Sequence, residues 1–354
     1  QQAKKFSIIL LTKRFIALAT GVALIAILDL GGEGLMYGML IAMAISIPLA
    51  LRWTSVSGSI SISSLSSKQL KRFLSYGIPL TLFTLSAFLL RYTDRYMISY
   101  FKNMEQVGLY SFASLMPQRT IETLIGIVAL GAFPVIVREW EKTGRESAIG
   151  ITSGLARYHM ILTAPIALIM VLFPRELISL AGTPQYGIAY TAVPLLAIGS
   201  YFTSIAWFSS IAFRLSTRTG LLMGITFGSF VANIILNLFA IPAWGFQGAA
   251  FATMVSSILY FGGVFVVSRN WLPWRIRWRS TWRILIAAAV AGSLSFSVKA
   301  FFELLEPAII ICTILLFWAI YGAMLHVLRE LSLGKLVSVA LAFFGRDRGA
   351  PVDE

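Results

Sequence analysis

Five ionisable residues, Arg91, Asp94, Arg95, Arg119 and Glu122, fall within or close to two long apolar stretches that run from Phe73 to Glu122 and are joined by a short turn. An ionisable side chain at hydrocarbon depth costs about 2.5–3.5 kcal/mol on insertion scales, so it normally faces a polar cavity or a partner rather than lipid. Arg91, Asp94 and Arg95 are spaced i, i+3, i+4 and share one helical face; Arg119 and Glu122 repeat the i, i+3 relation on the next helix. Three arginines against two acids leave an excess of positive charge, which suits an anionic substrate. The expectation is a cationic, water-filled cavity between helices, with Asp94 and Glu122 balancing part of the charge. The competing arrangement is internal pairing, Arg91 with Asp94 and Arg119 with Glu122, which would glue the bundle instead.

The elements that must position these residues follow from composition. A hydrophobic fraction of 58%, only 12% charged residues and a mean hydropathy of +0.81 exclude an ordinary soluble domain, which carries roughly 25% charge. The apolar runs are far longer than the roughly 9–11 alternating residues of a barrel strand, so the fold class is an all-α polytopic membrane protein. About ten spans are expected, with cores at Phe15–Leu30, Leu35–Leu51, Phe73–Tyr92, Gly108–Val137, Tyr158–Phe173, Tyr190–Phe213, Leu221–Phe239, Ala249–Val267, Ile284–Phe302 and Ala308–Leu328. Prolines at 48, 79, 117, 134, 165 and 194 are expected to kink them.

Of the 29 Lys and Arg, Arg91, Arg95 and Arg119 lie in spans, and only Lys102, Arg175 and Lys299 fall in one set of alternate loops. All the others fall in the opposite set, which the positive-inside rule makes cytoplasmic together with both termini. The net charge of +14 is thereby a matter of topology, and a nucleic-acid partner loses its main support. The Ser-rich stretch from Thr54 to Ser67 reads as a lobe boundary, giving segments 1–66, 67–267 and 268–354. Trp271, Trp274, Trp278 and Trp282, interleaved with Arg275, Arg279 and Arg283, predict an interfacial helix at headgroup level. The lone Cys312 forms no internal disulfide. His159 and His326 have no carboxylate at helical spacing to orient them, and Glu303 with Glu306 reads as the start of the last span ahead of Pro307.

Two passages resemble a known family. Leu70 to Gln118 carries a basic stretch, Gly77-Ile78-Pro79, the Asp94-Arg95 pair and Val107-Gly108-Leu109-Tyr110-Ser111. Val231 to Ser256 carries Asn233, Ile241-Pro242, Trp244-Gly245 and Gly248-Ala249-Ala250. Both are similar to the O-antigen or oligosaccharide (Wzx-like) flippases, polysaccharide biosynthesis proteins of the multidrug/oligosaccharidyl-lipid/polysaccharide exporter superfamily. The resemblance implies two six-helix lobes, of which this chain would hold the end of the first, a complete second and two appended helices, without about the first four spans. It implies a non-enzymatic flippase in the cytoplasmic membrane of a prokaryote, moving an undecaprenyl-diphosphate-linked oligosaccharide for surface polysaccharide synthesis, with polysaccharide polymerase machinery as a further partner.

Arginine suits a diphosphate because its planar fork bonds phosphate oxygens bidentately and stays charged. Arg119, about 17 Å into its span, is the expected midplane contact, with Arg91 and Arg95, roughly 29 and 35 Å beyond Arg72, toward the outer face. No cofactor is expected, but relatives that flip the peptidoglycan precursor hold sodium on an acid, two i, i+4 polar residues, a carbonyl and a threonine. The resemblance maps these onto Asp94, Asn233, Asn237, Ala249 and Thr253, with Asn237 in place of an acid. Alternatives are a cation-coupled multidrug exporter of the same superfamily, whose cavity would favour acids, and a membrane glycosyltransferase or polymerase, which would need a general acid or base and a carboxylate cluster.

Overall fold

The computed structural model describes residues 2–54, 66–67, 70–71, 92–181, 184–302 and 307–330. The chain divides into two compact units, residues 1–85 and 86–354. Arg91, Pro79, most of the expected third span, Glu303, Glu306 and most of the Ser-rich linker lie outside the described residues.

In the first unit, α1 (Gln2–Leu28) and α2 (Gly31–Thr54) form a hairpin whose tight turn uses positive φ at Asp29 and Gly31. Gly21, Gly34 and Gly38 let the two backbones touch: a Cβ on Gly38 would collide with the Gly21 backbone. The Thr20 hydroxyl also approaches the Gly38 carbonyl at 3.3 Å. Small residues at the crossing are how apolar helices associate where lipid supplies no hydrophobic drive.

The second unit begins with α3 (residues 92–101 as described) and continues as α4 (Met104–Pro117), a wide π turn (Gln118–Glu122) and α5 (Thr123–Lys142). Then come α6 (Arg145–Leu172), the short α7 (Pro174–Ala181), α8 (Val193–Leu215), α9 (Thr219–Trp244), α10 (Phe246–Ser268), α11 (Trp278–Phe302) and α12 (Pro307–Val327). Eight helical stretches among the described residues are long and apolar enough to cross a membrane, the π turn joining α4 and α5 into one. Helices α6 and α8 are the most buried and form the spine, while α9 shows side chains such as Phe227 and Phe239 to the surroundings. An apolar exterior is the expected counterpart of a lipid solvent.

Two local features fix the positions of the polar residues. The α9–α10 turn passes through Gly245 at φ +60, where the Gln106 side chain accepts from the Phe246 N–H at 3.0 Å. Gly248 then lets α10 press against the Ala240 carbonyl of α9, a place no Cβ could occupy. The second feature is Pro117, which has no N–H to complete its turn of α4 and is followed at once by the π turn. Pro134 and Pro165 also lie inside helices, but Pro194 sits in the first turn of α8, where its missing N–H is not needed, and so starts that helix rather than kinking it.

The tryptophan stripe is not an interfacial helix. Residues 272–277 are irregular, because Pro273 breaks the ladder and Trp274 turns inward. Trp274 is fully buried, with its indole N–H donating to Ser209 Oγ at 3.0 Å, whereas Trp278 and Trp282 are exposed. Just beyond α12, Glu330 pins the last two helices to α6. Its carboxylate accepts from Arg157 at 2.5 Å, Ser280 at 2.7 Å and Arg283 at 3.0 Å. Burial alone would raise the Glu330 carboxyl, but the bonds from Ser280, Arg283 and Arg157 outweigh it and hold its pKa below the ordinary value.

Candidate functional site

Asp94 is buried where α3, α4, α9 and α10 meet, and neutral groups supply its hydrogen bonds. Tyr110 donates to Oδ2 at 2.7 Å, Thr253 to the same oxygen at 2.9 Å, and the Asn237 amide to Oδ1 at 2.7 Å. The network continues from Asn237 to Asn233 Oδ1 at 3.0 Å and from Asn233 to Ser256 Oγ at 3.3 Å. The Thr253 hydroxyl also lies 2.9 Å from the Ala249 carbonyl. Asp94, Asn233, Asn237, Ala249 and Thr253, dispersed over 160 residues of sequence, are therefore neighbours.

The set carries one carboxylate and four neutral oxygen donors, and Asn237 Oδ1 is buried with no partner among the described residues. A hard monovalent cation fits such a set, since it is held by oxygens and needs little anionic charge. Rotating the Asn237 amide would aim that unused oxygen at Asp94, which only an intervening cation would make favourable.

Arg95 leaves α3 on the neighbouring side. Its Nε donates to Ser111 Oγ and its Nη2 to Ser114 Oγ, each at 3.0 Å, and the guanidinium lies over the rings of Tyr92 and Tyr110. Hydroxyls and aromatic faces thus orient the plane of the fork. Arg95 borders a cavity of about 730 Å³ that also takes in Asp94, Gln118, Glu122 and Arg214.

The walls of this cavity are hydroxyl-rich and periodic. Along α8 the lining residues Leu196, Ser200, Thr203, Trp207, Ser210 and Arg214 recur at three- and four-residue intervals and so form one face. Helix α9 contributes Thr226, Ser229 and Asn233, and α10 contributes Thr253, Ser256, Ser257 and Tyr260 with the same periodicity. Ser200 donates to Glu122 Oε1 at 3.3 Å. His159 is buried, bonds Ser204 through Nε2 at 2.9 Å and packs against Phe208, as a core histidine does.

Arg119 is not placed as the sequence predicts. In a regular helix it would share a face with Glu122, but the π turn widens the spiral, so that Gln118 and Glu122 line the cavity while Arg119 is exposed outside it. No ion pair joins Arg119 to Glu122 among the described residues, and Asp94 takes bonds from neutral donors rather than from an arginine. The charged lining among the described residues is Asp94 and Glu122 against Arg95 and Arg214, an even balance in place of the expected positive excess. Arg214 escaped the sequence reading because it sits one residue from the end of α8 and counted as a loop charge. The hydroxyl faces escaped it because serine and threonine at three- and four-residue spacing look like ordinary helix packing.

A model of the family described as polysaccharide biosynthesis protein matches residues 1–189. The chain is 26% identical over 197 residues to an uncharacterised membrane protein of Methanocaldococcus jannaschii, a match covering 53% of the chain and 37% of that relative. It is 24% identical over 227 residues to the probable low-salt glycan biosynthesis flippase Agl15 of Haloferax volcanii, covering 64% of the chain and 47% of the relative. These matches span about half or less of the length of both relatives. Among solved structures, the lipid II flippase MurJ in an inward closed conformation superposes with a TM-score of 0.72 at 14% identity, over 90% of this chain and 66% of that one. That likeness concerns the fold alone. With the family match extending over more than half of its residues, the chain belongs to the polysaccharide biosynthesis protein family.

Proposed function

We propose that the chain is part of a flippase that carries a polyprenyl-diphosphate-linked oligosaccharide across the cytoplasmic membrane of a prokaryote for surface polysaccharide synthesis. The observation that carries this reading is the cavity, whose lining combines hydroxyl faces from three helices with Arg95 and Arg214 inside an apolar bundle. Sugars suit hydroxyl walls because each hydroxyl both donates and accepts. The diphosphate suits Arg95, whose planar fork is oriented by Ser111 and Ser114. The glycan would follow the hydroxyl path while the prenyl tail stays in lipid, and alternating access would expose the cavity to each side in turn.

In this reading the chain is a transporter rather than an enzyme. It needs no resident cofactor, and both observed termini face the cytoplasm. Sodium is assigned as the coupling ion, held by Asp94, Asn233, Asn237, the Ala249 carbonyl and Thr253. It would supply the driving force by linking transport to its own gradient. An undecaprenyl carrier and an acquaintance with polymerase machinery belong to the same proposal.

The test is complementation in prokaryotic strains that lack their own oligosaccharide-lipid flippase and differ in glycan. Wild type is expected to restore surface polysaccharide in at least one strain, and Ser200→Trp, which fills the cavity, to fail at equal membrane level. Full activity of Ser200→Trp would remove the cavity from the transport path.

A further inference from the structure

Three arginines at the basic end of the bundle are held by polar partners away from the cavity. Arg145 donates to the Trp271 and Asn270 carbonyls, and Arg157 and Arg283 both bind Glu330. Arg214 differs. It borders the cavity, is exposed, and rests over the face of Phe133 at 5.8 Å, with no acidic partner among the described residues. The ring steadies the side chain without neutralising it, since a cation on an aromatic face keeps its full charge and its N–H donors.

Its surroundings suit an oxyanion. Ser210 precedes it by one turn on the cavity face of α8, Thr226 lines the cavity from α9, and Tyr260 lines it from α10. The other cavity arginine is far off. Leu196, at the opposite end of the same α8 face, packs in one cluster with Tyr110 and Ala249 beside Asp94 and Arg95. From Leu196 to Arg214 the helix rises about 27 Å at 1.5 Å per residue. The two arginines therefore mark opposite ends of one hydroxyl-lined path.

We infer that Arg214, with Ser210, Thr226 and Tyr260, forms a second phosphate-binding site, the one at which the diphosphate of the lipid-linked substrate is first received before it passes to Arg95. This rests on the flippase reading, and deepens it by giving the path a loading end. A guanidinium with one planar face on Phe133 still offers its edge to paired phosphate oxygens, whereas a lysine there would offer only a point charge.

The test measures binding of geranylgeranyl diphosphate to the purified full chain in detergent, with inorganic pyrophosphate and phosphatidylglycerol as competitors. Arg214→Gln is expected to weaken binding about tenfold, Arg214→Lys to recover part of it, and both to melt like wild type, because the side chain is exposed. Pyrophosphate should compete and phosphatidylglycerol should not. If Arg214→Gln binds like wild type while Arg95→Gln is impaired, the second site is wrong and the diphosphate reading stands. If wild type binds neither diphosphate, the reading and the inference fall together. Equal competition by phosphatidylglycerol would make this a lipid-headgroup site and overturn its assignment to substrate.

Discussion

Asn237 donates its amide to Asp94 Oδ1 at 2.7 Å and leaves its own Oδ1 buried without a partner among the described residues. A buried acceptor left unsatisfied costs about 1–3 kcal/mol, so the arrangement holds unused binding capacity beside a carboxylate. Sodium is expected to claim it. Thermal unfolding in NaCl should exceed that in KCl at equal ionic strength, by the equivalent of about 2.7 kcal/mol when sodium is at 100 times its dissociation constant. Asp94→Asn should abolish the difference and Asn237→Asp should enlarge it. Equal melting of wild type in the two salts would count against a sodium site.

The Glu330 clamp has a pH signature. Its folded pKa lies below the ordinary value, so its stabilisation is fully present above the unfolded carboxylate pKa of about 4.3 and is lost as pH falls through the folded value. Docking of α11 and α12 should therefore be pH-independent from 5 to 8 and weaken below about 4. Glu330→Gln should cost about 1–3 kcal/mol at neutral pH and remove this acid dependence. Limited proteolysis between α11 and α12 across pH checks it, and an unaltered profile in the variant would show that other contacts hold these helices.

Gly248→Ala should separate α9 from α10, because its Cβ would fall on the Ala240 carbonyl, which is backbone and cannot rotate away. A loss of about 1–3 kcal/mol is expected from overpacking, together with the sodium response, since Asn237 and Thr253 lie on the two helices being forced apart. Thermal melts in both salts read the two effects together. A variant that melts and responds like wild type would mean that the helix pair tolerates the shift.

Much of this was legible in the sequence, and what was not has physical causes. Span length and hydropathy identified the bundle because a bilayer imposes one requirement on every crossing helix. The Asp94, Asn233, Asn237 and Thr253 cluster followed from a resemblance of spacing, and the fold brings those residues together. Arg119 went astray because the sequence carries no mark of a π turn beyond Pro117, and one wide turn rotates everything near it. The tryptophans went astray because their spacing is helical while Pro273, between Trp271 and Trp274, keeps the chain irregular up to Trp278. Trp274→Ala should accordingly cost about 3–5 kcal/mol and Trp278→Ala almost nothing, as chemical or thermal unfolding of the two variants would show.

The most direct measurement is flipping of a fluorescent polyprenyl-diphosphate oligosaccharide by the full chain, together with any natural remainder of the protein, in proteoliposomes. Wild type and Arg95→Gln would be compared at equal incorporation. If the cavity carries the substrate and Arg95 holds its diphosphate, wild type transfers the lipid to the far leaflet and the variant is slowed at least about tenfold, the loss of one charge-assisted contact. Equal rates for the two proteins would contradict the account, because the best-oriented cation in the cavity would then play no part in transport.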